Sequence, residues 1–85
     1  MDETEVIERV KALPDLYAGR VRPQDLAGMR SMASGGEWGE LADLLVASLN
    51  LSQATVTSRE RDELRSLLAA MDMPGEPLAG LNVEG

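Results

Sequence analysis

The segment from Glu37 to about Leu51 is the most apolar stretch of the chain, and it limits the possible folds more than any other feature. At about 100° per residue, Trp38, Leu41, Ala42, Leu45, Val46 and Leu49 share one broad face, while Glu40, Asp43, Ala47 and Asn50 fall on the other. Such a helix has to be covered along most of its length, so the pattern predicts that it is central and that other elements pack around it. The chain has 85 residues, too few to divide the apolar side chains between two cores and keep either dry, so one domain is expected.

The flanking segments carry narrower stripes. Val6, Ile7, Val10 and Leu13 lie at helical spacing behind Asp2 and Glu5, which are arranged like a capping box, and predict a helix from Glu3 to about Leu13. Pro14 cannot continue that hydrogen-bond ladder, although Leu13, Leu16 and Tyr17 suit one further short turn before Gly19. Pro23 sits well as the first residue of a second helix, with Asp25 at its positive end and Leu26, Met29 and Met32 repeating along it until Gly35 and Gly36. After a loop from Ser52 to Val56, Thr57 and Glu60 have capping-box spacing, and Leu64, Leu67, Leu68 and Met71 form the stripe of a last helix. No segment alternates in the way a strand does, so no sheet is expected. The reading is therefore an all-α domain over residues 1–73, a small bundle of about four short helices. Residues 74–85 form a Pro/Gly-rich C-terminal tail, either frayed or strapped across the bundle by Leu78, Leu81 and Val83.

Composition narrows the chemistry. The chain has neither histidine nor cysteine, which removes the commonest general base, the usual zinc ligands and the best nucleophile. Carboxylate pairs such as Glu37 with Glu40 or Glu60 with Glu63 remain, but on exposed helix faces they are expected to be solvated. No stretch has the ligand spacing of a calcium loop, and Ser34-Gly35-Gly36-Glu37 lacks the lysine of a phosphate-binding loop. Neither catalysis nor a cofactor or metal is expected. The absence of cysteine fits a reducing interior, no apolar run reaches membrane-spanning length, and Met1-Asp2-Glu3-Thr4-Glu5 is the opposite of a signal peptide. A cytoplasmic protein without membrane contact is expected, as a monomer or homodimer.

The formal net charge is −7, a field that repels nucleic acid and attracts basic surfaces. No Lys or Arg occurs between Ser31 and Ser58, so a recognition helix there would push Glu37, Glu40 and Asp43 toward phosphates. Arg59, Arg61 and Arg65 are the better nucleic-acid candidates, but Glu60, Asp62 and Glu63 offset them. Trp38, the single tryptophan, is read as a core residue with an interface anchor as the alternative, and the methionines as gap-fillers that can also adapt to partners.

The run Gly36-Glu37-Trp38-Gly39-Glu40-Leu41-Ala42-Asp43-Leu44-Leu45, with Leu49, Val56-Thr57, Glu60 and Leu64 to Leu68, resembles the MafI-like immunity proteins of bacterial toxin systems. The resemblance covers residues 24–72. It implies a small helical protein that neutralises a cognate toxin by binding it, and it brings no list of contact residues. An acidic protein of this kind suits a toxin with a basic groove. Glu37, Glu40 and Asp43, with Asn50 further along, form the longest acidic stretch uninterrupted by base and are the candidate partner-binding residues. The alternatives are that this stripe is only solvated, and that the chain is a small regulatory or dimerisation module using the Arg59, Arg61 and Arg65 helix.

Overall fold

A computed structural model describes residues 1–84. Four helices, α1 (Glu3–Leu16), α2 (Pro23–Ser34), α3 (Trp38–Leu51) and α4 (Ser58–Ala70), make up the body. Two short strands, β1 (Thr55–Thr57) and β2 (Asn82–Glu84), and a 3-10 turn at Glu76–Gly80 complete it. The all-α reading holds, and α3 is central: α1, α2 and the 3-10 turn all pack against it. Leu41, Leu45 and Leu49 are fully buried with Val10 of α1 and Met29 of α2.

The helix starts follow local chemistry. Asp2 accepts from the Glu5 amide at 2.8 Å at the head of α1. At the head of α4, Thr57 accepts from the Glu60 amide at 3.0 Å while Glu60 accepts from the Thr57 amide at 2.9 Å, the reciprocal box its sequence announces. The ends of α2, α3 and α4 share one device. Gly36, Gln53 and Asp72 take positive φ of 72°, 51° and 57°, and the next amide returns to the carbonyl five residues back. Glu37 reaches Met32 at 2.9 Å, Ala54 reaches Leu49 at 3.1 Å and Met73 reaches Leu68 at 2.8 Å. These closures satisfy carbonyls that a helix end leaves without partners.

Two features depart from the sequence reading, and a third decides between alternatives it left open. First, α1 runs through Pro14 to Leu16 instead of ending near Leu13. Pro14 forfeits one hydrogen bond, but Leu13, Pro14 and Tyr17 are buried and the Tyr17 amide still reaches the Leu13 carbonyl at 3.1 Å, so core packing holds the last turn. Leu16 points away and is 61% exposed. Second, β1 and β2 pair in parallel, with Val56 opposite Val83, where no sheet was expected. Strands of three residues are too short for alternation to register in a sequence. Third, the tail is docked: Leu78 and Leu81 are buried in the main core.

A latch joins distant segments beside β1. Arg20, in the α1–α2 connection, grips Glu60 with two bonds of 2.8 and 2.7 Å, reaches the carbonyls of Thr55 and Leu16, and stacks on Tyr17 at 4.5 Å. The Arg20 guanidinium holds the Glu60 carboxyl down at about 2, overcoming its partial burial and helped by the Thr57 amide, and the same bond raises Arg20. Burial, with Glu60 nearby, pushes the Tyr17 hydroxyl up to about 12. A second knot ties α2 to α3. Arg22 donates to Asp25 at 2.6 Å, and its amide donates to the buried Ser48 hydroxyl at 3.2 Å. The Arg22 guanidinium and then the Ser48 hydroxyl hold the Asp25 carboxyl below the usual range.

Candidate functional site

The cations and the surplus acids occupy different parts of the molecule. Lys and Arg are confined to α1, the α1–α2 connection, α2 and α4; α3, β1 and everything after Arg65 contain none. Each of these cations among the described residues, Arg59 excepted, is ion-paired with a carboxylate, most within one helix and a few between segments. The negative charge left over therefore concentrates where no base exists, on α3 and the tail.

Docking of the tail enlarges that region. The Met73 sulfur passes 3.5 Å from where a side chain on Gly39 would begin, at the start of α3. Further along, the Asn50 amide donates to the Pro77 carbonyl at 3.2 Å, and the Asn82 amide to the Gln53 carbonyl at 2.9 Å. The tail thus runs beside α3 from its first turn to past its last. Exposed Asp72 and Glu76 come with it and join exposed Glu37, Glu40 and Asp43, while exposed Glu84 lies opposite Thr57 at the head of α4. Beside Pro77, a shallow groove of about 490 Å³ has Met32, Leu44, Val46 and Ala47 in its lining and Glu40 and Asp43 as its acids.

The candidates from sequence separate into two kinds. Glu37, Glu40 and Asp43 face solvent without a cation beside them, as an accessible acidic stripe requires. Glu37 stands at the tight turn into α3 with its side chain 3.8 Å from where a side chain on Gly35 would begin, and Glu40 and Asp43 follow on the outer side of the helix. Asn50 has a structural occupation instead. Its amide bonds the Val46 and Pro77 carbonyls, and its oxygen lies 2.7 Å from where a Gly80 side chain would start, so a larger residue at Gly80 would displace the Asn50 amide. Sequence reasoning missed Asp72 and Glu76. Their signal was the lack of any base after Arg65, which means nothing until the tail is known to lie on α3.

The arginine helix offers little free cationic surface. Arg61 and Arg65 both contact Asp62 at 3.4 Å, and Arg59 shares its concavity with Asp62 and Glu63. Glu60, one of the carboxylates paired in sequence, is committed to Arg20 and stays ionised far below neutral pH. Among the described residues no group of three Asp or Glu side chains is placed to hold a metal ion, and no helix is long and apolar enough to cross a membrane.

Trp38 divides its surface between core and solvent. It packs against the buried cluster, yet it lines an open hollow with Ile7, Met71 and Met73, and Lys11 lies 5.8 Å from its ring centre. No protein-family model, curated protein or solved structure matches the chain.

Proposed function

We propose that this chain acts by stoichiometric contact, binding a protein partner with a basic surface through the acidic face of α3 and the docked tail. The observation that carries the reading is the segregation of charge: acids without cations on one face, ion-paired cations elsewhere. Such a face steers a basic partner toward it and disfavours like-charged competitors. The resemblance of residues 24–72 to MafI-like proteins supports an immunity-type role, in which the partner is a bacterial toxin whose basic working surface is occluded. In this role the cytoplasm is where chain and toxin meet, and the chain contributes occlusion without chemistry of its own.

Two experiments test the reading. Co-expression with a toxin encoded beside this chain should restore growth; failure with both proteins present rejects the immunity role. Replacing Glu40 and Asp43 by Lys reverses two exposed charges and should leave stability within about 0.5 kcal/mol, while affinity for the basic partner falls by about tenfold or more. Unchanged affinity would remove these residues from the site.

A further inference from the structure

A second concavity does not coincide with the acidic groove. It lies at the other end of the tail's path, where α1, the start of α3 and the end of α4 meet, and has a volume of about 700 Å³. Its apolar wall is Val6, Ile7, Trp38, Met71 and Met73. Burial separates these residues from the rest of the core. Met29 is fully buried, whereas Ile7, Trp38, Met71 and Met73 are each half-buried and turn part of their surface into the hollow. A concave apolar patch on a small monomer is a feature of binding sites, and two methionines beside an indole form a wall that can reshape around an incoming group. The interface anchors that dominate binding energy are commonly single side chains seated in pockets of this sort.

The charges around the hollow select the occupant. Glu3 belongs to its wall, Glu37 immediately precedes Trp38, and Asp72 lies between Met71 and Met73. Met1, which carries the terminal ammonium, also lines the hollow, and Lys11 is drawn toward Glu8 at 3.9 Å and toward the indole, so the three carboxylates outnumber the cations beside them. An acidic occupant is repelled, and a purely apolar one leaves the rim carboxylates unused.

We propose that this hollow receives one apolar side chain carried on a basic segment of the partner protein, with Glu3, Glu37 and Asp72 meeting the lysines or arginines on either side of it. The proposal rests on the reading that the partner is a cationic protein, and it adds an apolar anchor at one end of the acidic face. Affinity then comes from the anchor, and orientation and association rate from the carboxylates.

Trp38 is the single tryptophan, so its fluorescence reports occupancy of the hollow directly. The probes are short lysine peptides with one central leucine, the same peptides with glycine in its place, and glutamate peptides that keep the leucine. At low salt the lysine–leucine peptide should shift Trp38 emission saturably, and the lysine–glycine peptide should bind about tenfold more weakly. The glutamate–leucine peptide should not bind. Ile7→Gln, checked for an unchanged fold by circular dichroism, should weaken the lysine–leucine peptide and leave the lysine–glycine peptide as it was. Equal binding of leucine and glycine peptides, binding of the glutamate peptide, or no saturable response overturns the proposal. So does a dimer, seen by sedimentation, whose formation shields Trp38, because a second copy is then the occupant. The titration needs no toxin: a flat result rejects the hollow without touching rescue by the acidic face, and absence of rescue leaves the titration readable.

Discussion

Gln53 and Asp72 hold left-handed backbone conformations, with φ of 51° and 57°, that glycine adopts without steric cost and branched or long side chains do not. Asp tolerates this region better than Gln, since its short side chain can bond locally. Gln53→Gly should therefore stabilise the fold by about 0.5 to 1 kcal/mol and Asp72→Gly by less, measured by urea denaturation; destabilisation by Gln53→Gly would mean that its side chain makes a contact worth more than the strain. The Arg20–Glu60 pair gives a pH signature. Its carboxyl titrates at about 2 when folded against 4.5 ordinarily, so its contribution is complete above about 4.5 and is lost as pH falls from there toward 2. Unfolding free energy should drop across that window, and the drop should be smaller in Glu60→Gln. An equal drop in the variant would assign the acid sensitivity to other carboxylates, Asp25 first, since its own pKa is also lowered.

At the level of elements, the tail behaves as part of the domain. Leu78 is 1% exposed and packs with the main cluster, so Leu78→Ala should cost about 2 to 5 kcal/mol, a large share of the stability of a domain this small. A cost under about 1 kcal/mol in thermal or urea melts would show that the tail does not stay docked in solution. Asn50→Ala removes the clamp on Pro77 but not the apolar contacts. It should raise hydrogen exchange and proteolysis in residues 74–84 selectively, while leaving α3 protected. The same tail shows where sequence reading ran out. Leu78, Leu81 and Val83 were recognisable as strap residues, but Pro and Gly around them favour a frayed end equally well. What decides is a hydrogen bond from Asn50, 27 residues earlier, and a strand partner in β1.

The whole molecule presents an accessible surface of 4933 Å², close to the roughly 4,900 Å² of a compact monomer of this mass. The chain thus closes its own core, and the hollow beside Trp38 and the acidic face lie on an otherwise finished surface. Like charges gathered along α3 and the tail repel one another. Raising NaCl from about 10 to about 150 mM shortens the screening length from about 30 to about 8 Å and should raise Tm. The gain should shrink in the Glu40→Lys/Asp43→Lys double variant, where the repulsion has been relieved; an identical gain would place the dominant repulsion elsewhere.

Local signals in the chain determined the helices and most of their ends, because a stripe at helical spacing, a capping box at Thr57 and glycines at 35 and 36 act over one or two turns. They also determined that Glu37, Glu40 and Asp43 form an acidic stripe without base, since Glu40 and Asp43 lie on α3 and Glu37 at its N-cap. Tertiary structure alone decided the continuation of α1 through Pro14, the pairing of Val56 with Val83, the employment of Asn50 as a clamp and the arrival of Asp72 and Glu76 beside α3. Each of these depends on burial or bonding between segments far apart in the chain, as Arg20 and Glu60 are at 40 residues, and no nearest-neighbour pattern encodes which distant surfaces will meet. The hollow beside Trp38 belongs to the same class: α1, α3, α4 and the tail each supply part of its wall, and it exists only where they converge.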